Sequence, residues 1–314
     1  MHPHPTDPRS RRRRRLLQAL ATGLMAPWLP SFAASPTDAA IGRRRIPSSG
    51  EMLPLVGVGT SRVFEVGDTP QARSGPREVL GLLRTVGNAM LDTSPMYGTA
   101  ETVAGDLMVE LDARSRLFVA TKVWTSGREA GIAQMERSLA RLRTDRVDLM
   151  QIHNLLDWQT HYATLQQWRE QGRIRYVGVT HYHAGAHAQL ETVMRAVPLD
   201  FVQLNYSLAE PEAAQRLLPL AQERGIAVIV NRPFARGELF AMTRGHDLPG
   251  WTAEFDCASW AQFFLKWILG HPAVTVAIPG TGKLRHLQDN LAAARGRLPD
   301  AAQRNRMQQW IAAL

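Results

Sequence analysis

The chain has 314 residues, 45% of them apolar and 21% charged, with a formal net charge of +9. This composition excludes an intrinsically disordered chain, and the single cysteine, Cys257, excludes an intramolecular disulfide framework. Six arginines fall within the first 33 residues, so the remainder carries 31 basic and 27 acidic residues, a net charge of +4, and nucleic-acid binding loses its main support.

In chain order, Ser10 is followed by five arginines, Arg11 to Arg15, then Leu16-Leu17-Gln18 and a moderately apolar run through Phe32 that Pro27 and Pro30 break. Ser31-Phe32-Ala33 places small residues at the −3 and −1 positions of a cleavage site. A basic start, a short apolar stretch and a small-residue exit predict an export signal over residues 1–33, and paired arginines before Leu-Leu point to the twin-arginine route. A nucleic-acid arm or an uncleaved anchor are the alternatives, but the apolar run falls short of the roughly 20 residues a membrane span needs. The expected location is periplasmic or extracytoplasmic, with the twin-arginine machinery as a partner and no stable membrane anchor after cleavage. Residues 34–45 read as a tether, and residues 46–55, with the turn Ser48-Ser49-Gly50, as a short hairpin.

From there the chain alternates. Strand-like runs fall near 55–59, 88–92, 117–123, 147–152, 174–179, 200–204, 226–230 and 273–278. Helix-like segments fall near 75–87, 99–111, 128–142, 162–171, 185–196, 211–223, 258–269 and 283–294. Eight β/α units with continuously apolar strands predict an α/β fold, a (β/α)8 TIM barrel occupying residues 46–314. Residues 231–257 make a long Gly- and Pro-containing connection, and an extra C-terminal helix near 300–313 is expected to lie across the barrel. A doubly wound sheet is the weaker alternative, because Gly57-Val58-Gly59-Thr60 lacks the third glycine of a nucleotide fingerprint.

Four residues at or just beyond these strands carry chemistry. Asp92 ends NAMLD, Tyr97 follows it, Lys122 ends LFVATK and His153 ends VDLMQIH. A barrel gathers the C-terminal ends of its strands at one face. There Tyr97 can donate a proton to a forming alkoxide, Lys122 can lower the phenol pKa, Asp92 can hold the lysine, and His153 can polarise a carbonyl. The chain has only three lysines, Lys122, Lys266 and Lys283, against 34 arginines, so a lysine at this strand end stands out. Trp124 and Trp158 follow the third and fourth strands and can line a substrate mouth, although rim tryptophans also simply pack. His183 and His187 lie one helical turn apart, but no carboxylate or cysteine completes a metal set near them, so no metal is expected. Cys257 reads as buried packing.

Over residues 46–314 the chain resembles the aldo-keto reductase family. The matching segments are Gly57-Val58-Gly59-Thr60, Leu91-Asp92-Thr93-Ser94-Pro95-Met96-Tyr97-Gly98, Thr121-Lys122-Val123-Trp124 and Asp148-Leu149-Met150-Gln151-Ile152-His153. Gly172-Arg173-Ile174-Arg175-Tyr176-Val177-Gly178-Val179 and Ala277-Ile278-Pro279-Gly280-Thr281 complete the set. The resemblance implies a barrel, an Asp-Tyr-Lys-His tetrad, and NADP (with NAD as the alternative) bound extended without a Rossmann domain.

It also implies cofactor contacts from Gly59, Thr60 and Asp92, from Thr180-His181 and Gln203, from Arg232-Pro233, and from Gly280, Thr281, Lys283, His286, Asp289 and Asn290. Thr180-His181 stands where many members have Ser-Asn, and the nicotinamide-stacking tyrosine is replaced around Asn231-Arg232-Pro233. Arg232 is open to two roles, stacking or pairing with phosphate. The function expected is direct hydride transfer between a nicotinamide cofactor and an aldehyde or ketone, in a monomer, with Trp124 and Trp158 beside Tyr97 and His153 on the substrate side. A nucleotide-sensing or partner-binding protein on the same scaffold is the alternative.

Overall fold

The computed structural model describes Met1 and residues 40–314. The export signal over 1–33 and the first part of the tether, through residue 39, otherwise lie outside the described residues.

The hairpin begins earlier than expected. Strand β1 (Arg43–Arg45) pairs antiparallel with β2 (Met52–Pro54), Arg43 opposite Pro54 and Arg45 opposite Met52. Gly50 turns the chain at φ 80°, a left-handed value that costs glycine little, and its N–H donates to Ile46 O at 2.8 Å. The arginines here looked like a solvated tether, yet the Arg44 guanidinium donates to Leu269 O (2.5 Å), His271 O (2.8 Å) and Val274 O. It thereby satisfies the last carbonyl of the helix Trp260–Leu269 and ties the turn after it to the start of the strand Val274–Ala277.

Eight parallel strands follow: β3 (Val58–Gly59), β4 (Ala89–Asp92), β5 (Leu117–Val123), β6 (Val147–His153), β7 (Ile174–Thr180), β8 (Phe201–Asn205), β9 (Ala227–Asn231) and β10 (Val274–Ala277). They pair in sequence order, and bridges between Val56 and Ala277 and between Gly59 and Gly280 bring the two ends of the sheet together into a nearly closed barrel. Gly57 is required at that seam, since a Cβ there would sit 2.6 Å from Met90 O.

Helices α1 (Pro70–Val86), α2 (Ala100–Glu110), α3 (Arg128–Arg141), α4 (Trp158–Glu170), α5 (His187–Ala196) and α6 (Leu217–Glu223) alternate with the strands. The expected helix at 211–223 opens instead as a 3₁₀ turn at Glu212–Gln215. The long connection carries its own structure, a 3₁₀ turn at 235–237, α7 (Glu238–Met242) and a 3₁₀ segment at 250–255, with Leu239 and Phe255 buried. Then come α8 (Trp260–Leu269), α9 (Leu284–Ala292) and α10 (Ala301–Ala312).

Helix α10 packs along α8. Its start meets the end of α8, where Arg304 donates to Trp267 O (2.7 Å) and to the Tyr206 hydroxyl (2.5 Å). Its end meets the start of α8, where Trp310 stacks on Trp260 at 5.2 Å. The two helices therefore run antiparallel, and burial of Met307 and Ile311 explains the preference.

Inside the barrel, side chains at alternate strand positions form two storeys. The lower is apolar, with Met90, Phe118, Ala120, Leu149, Phe201 and Ile229 among its members, closed at the N-terminal end by Ile46 and Leu53 of the hairpin. The upper, two residues further along each strand, is polar: Asp92, Lys122, Gln151, Gln203 and Asn231, with His153 and Thr180 at the rim.

Candidate functional site

Asp92, Lys122 and His153 arrive on the ends of β4, β5 and β6, while Tyr97 depends on the loop after β4. There Tyr97 N–H donates to Ser94 O (3.0 Å) and Ala100 N–H to Tyr97 O (2.9 Å), folding the loop into the start of α2. Gly98 follows at φ 49°, and a Cβ on it would lie 2.3 Å from a Glu65 carboxylate oxygen. Glycine is the residue that permits this turn.

The four side chains come together. Lys122 is fully buried; its Nζ donates to Asp92 Oδ2 (2.6 Å) and Thr93 O (2.7 Å). It lies 5.1 Å from the centre of the Tyr97 ring, and its charge favours the phenolate. Asp92 Oδ1 accepts from Gln151 Nε2 (2.9 Å) and Gln203 Nε2 (2.9 Å), so the buried carboxylate is held by three donors. A buried ion pair contributes little net stability against its own desolvation, and extra hydrogen bonds are what make one tolerable. His153 packs edge-on to Tyr97, with ring centres 6.0 Å apart, and its Nδ1 lies 3.1 Å from Ser94 Oγ.

Electrostatics refines the expected roles. Burial by itself would lower the Lys122 pKa, but Asp92 and then Tyr97 outweigh it and hold the ammonium above its ordinary value. Lys122 does favour the Tyr97 phenolate, but burial opposes ionisation more strongly and Asp92 adds to it, so the phenol pKa is raised rather than lowered. Tyr97 holds its proton at neutral pH. Burial, with the Lys122 charge and His181 nearby, pushes His153 down to about 2, so it is a neutral imidazole.

The residues around this centre are placed as follows. Thr180 Oγ1 donates to Gln203 Oε1 (3.2 Å), and Asn231 Nδ2 donates to His181 O (3.0 Å) and Gln203 Oε1 (3.4 Å), leaving Asn231 Oδ1 buried without a partner. The His181 ring stacks on Tyr182 (5.2 Å), and its Nδ1 accepts the Tyr182 N–H (2.9 Å). The Arg232 guanidinium lies over Tyr182, 4.2 Å from the ring centre, and Pro233 next to it in the chain is buried. Gly59 and Gly280 face each other across the barrel seam, and Thr60 N–H donates to Asp92 O (2.9 Å). Thr281 caps its own turn, its Oγ1 accepting from Lys283 N–H (3.1 Å). Lys283 and His286 are exposed at the start of α9, whereas Asn290 is buried. Asp289 turns its carboxylate to α8, accepting from Ser259 Oγ (2.8 Å) and Gln262 Nε2 (2.7 Å).

Trp124 stands beside the centre, its ring 6.3 Å from that of His153 and 40% exposed. Trp158, at the start of α4, packs against the main core instead, and no ring contact joins it to His153 or Tyr97 among the described residues. His187 pairs with Asn205 Oδ1 (3.0 Å), apart from His183, whose ring meets His181 edge-on. Sequence reasoning missed Gln151 and Ser94. Gln151 had a signal, an uncharged polar residue at an inward position of an otherwise apolar strand; Ser94 had none.

The sequence model described as the aldo/keto reductase family matches residues 55–309. Methylglyoxal reductase YeaE of Escherichia coli K12 is 29% identical over 258 residues, which cover 80% of this chain and 89% of that protein. Aldo-keto reductase YhdN of Bacillus subtilis is 24% identical over 289 residues, covering 77% and 86%. Among solved structures, an aldo-keto reductase from Klebsiella pneumoniae in complex with NADP and acetate has a TM-score of 0.68 at 24% identity, covering 86% of this chain and 96% of that one. Another from the same organism, in complex with NADPH, has a TM-score of 0.69 at 23% identity, covering 86% and 95%.

Proposed function

The chain belongs to the aldo/keto reductase family, and from that premise we propose that it is an NADP-dependent oxidoreductase that interconverts an aldehyde or ketone and an alcohol, with Tyr97 as general acid and base. The observation that carries this reading is the buried Lys122–Asp92 pair against Tyr97. A pair so costly to bury has a clear use in holding a charge under a phenol.

The chain's own residues divide the work. The Ser94 hydroxyl lies 3.1 Å from His153 Nδ1, and with Ser94 as donor there the ring proton sits on Nε2, free to hydrogen-bond the carbonyl oxygen. Because His153 is neutral, it polarises that oxygen without surrendering its proton. Tyr97 delivers its phenolic proton to the same oxygen as the alcohol forms, and Lys122 stabilises the phenolate left behind. Asp92, held by Gln151 and Gln203, keeps the ammonium in place. In oxidation the phenolate takes the alcohol proton back. The bound nicotinamide supplies or accepts the hydride.

The residues present suit such a cofactor. Asn231 Oδ1 is an open acceptor for the carboxamide N–H beside Thr180, His181 and Gln203. Exposed Lys283 and Arg285, with a neutral His286 beside them, open α9 with the positive charge a 2′-phosphate requires, and a helix N-terminus favours an anion. The Klebsiella structures hold NADP and NADPH, which supports the same choice. The Escherichia coli relative's name makes methylglyoxal the first substrate to try.

The test is Tyr97→Phe. NADPH-dependent carbonyl reduction should fall by about 10² to 10⁴-fold, while NADPH still quenches the tryptophan fluorescence; turnover that survives the substitution removes Tyr97 from its role.

The reading includes export of the folded monomer by the twin-arginine route with its cofactor inside, which supplies a nicotinamide where no free pool exists. Changing Arg11 to Arg15 all to lysine should leave the protein in the cytoplasmic fraction, and periplasmic recovery of that variant would sink the route.

A further inference from the structure

Trp124 follows β5 in an exposed loop, yet one side chain holds both of its backbone polar atoms. Gln134, in the second turn of α3, accepts the Trp124 N–H through Oε1 at 2.6 Å and donates from Nε2 to Trp124 O at 3.0 Å. The next carbonyl, Thr125 O, lies 2.6 Å from Nε2 of the fully buried His161 on α4. A carbonyl can only accept, so His161 Nε2 is the donor there. The ring sits directly over Gly131 of α3, where a Cβ would approach it to 2.5 Å. Two residues on, Gly127 N–H donates to Asp157 Oδ2 at 2.7 Å. Residues 124, 125 and 127 are thus laced to α3, to α4 and to the loop before α4. Rim loops ordinarily keep freedom that substrate must remove on binding, at a cost in affinity. Here the loop is already ordered, and the side chain it carries is the half-exposed indole beside His153.

We propose that Gln134 is a positioning residue for substrate selection: it fixes Trp124 as a rigid flat wall, and that wall favours carbonyls bearing an aromatic or other broad apolar substituent over small ones. This rests on the reductase reading given above. A flat wall gains from the face of an aromatic substituent, by dispersion and ring packing, and offers little to a two- or three-carbon chain. Loosening it should therefore cost the broad substrate alone.

The experiment compares propanal with benzaldehyde in steady state with NADPH, for the wild-type chain and for Gln134→Met, which keeps side-chain length and removes both hydrogen bonds. The expected result is a fall of about tenfold in kcat/KM for benzaldehyde, carried by KM, with propanal kinetics and NADPH binding unchanged. Trp124→Ala should lose the same selectivity, and adding Gln134→Met to it should cost nothing further, as befits two residues acting through one wall. If Gln134→Met melts early, Gln134→Glu carries the test. It retains the acceptor for Trp124 N–H and loses the donor to Trp124 O, so selectivity should fall part of the way. Equal losses on both aldehydes, unchanged selectivity in either Gln134 variant, or losses that add to those of Trp124→Ala overturn the proposal. Failure of the wild-type chain to oxidise NADPH with either aldehyde overturns the reductase reading and this proposal together, and it shows before any variant is made.

Discussion

The two ends of the barrel use charge in opposite ways. At the N-terminal end, Arg175 bridges Glu51 of the hairpin and Asp148 of β6, and the Tyr176 hydroxyl donates to Glu51 Oε2 (2.7 Å) beside Ser49. Arg175 and Glu51 are partly exposed while Asp148 and Tyr176 are buried, every carboxylate meets a guanidinium, and the network ties a plug over the apolar storey. At the C-terminal end the ion pair is single, dry and turned toward a phenol. The lower network can lose a member and be re-solvated; the upper pair has no water to fall back on. Position along a strand, not residue type, decides whether an acid and a base serve cohesion or chemistry.

The largest test of that contrast is Lys122→Met. It should abolish turnover and also cost about 3–5 kcal/mol of stability, because Asp92 is left buried without its counter-charge. Adding Asp92→Asn should recover much of the stability and none of the turnover, read by denaturant melts and NADPH oxidation. Recovery of neither would mean the pair supports the fold rather than the reaction.

Acid should find the C-terminal end next. His153 in the folded chain titrates near 2, against 6.5 for the free ring. The unfolded chain therefore binds a proton below pH 6.5 that the folded one refuses, and the stability this residue contributes is complete above 6.5 and lost as pH falls. Between pH 6.5 and 5 the loss should be about 2 kcal/mol from this residue. His181, held down to about 4 by burial and neighbouring histidines, pushes in the same direction. His153→Asn should flatten the melting profile over that window, and an equally steep profile in the variant would assign the acid sensitivity elsewhere.

The smallest effect belongs to the other end. Arg175→Ala should cost roughly 1 kcal/mol, since its pairs are partly exposed. It should leave kcat untouched. A change in kcat would show that the plug and the site are coupled along the strands.

Much of this was legible in the sequence because both the barrel and the tetrad are written locally. The strands are mainly apolar runs, and Asp92, Lys122 and His153 each mark the end of one. What escaped depends on partners remote in sequence. Arg44 belongs to the hairpin because carbonyls about 225 residues away need donors. Asp289 faces Ser259 and Gln262 rather than open solvent, which only the packing of α9 on α8 reveals. The Tyr97 pKa moved opposite to expectation because a sequence names the nearby ammonium and is silent on the extent of burial.

The seam of the barrel has a consequence for how the molecule is made. Strand β3 spans two residues, and the bridges at Val56 and Gly59 join the first barrel unit to residues about 220 positions later, at Ala277 and Gly280. A chain growing from its N-terminus completes seven β/α units before the second neighbour of its first strand exists. Until β10 arrives, the open edges of the sheet are a template for another chain. The seam is therefore where ring closure, and with it the finished molecule, is decided.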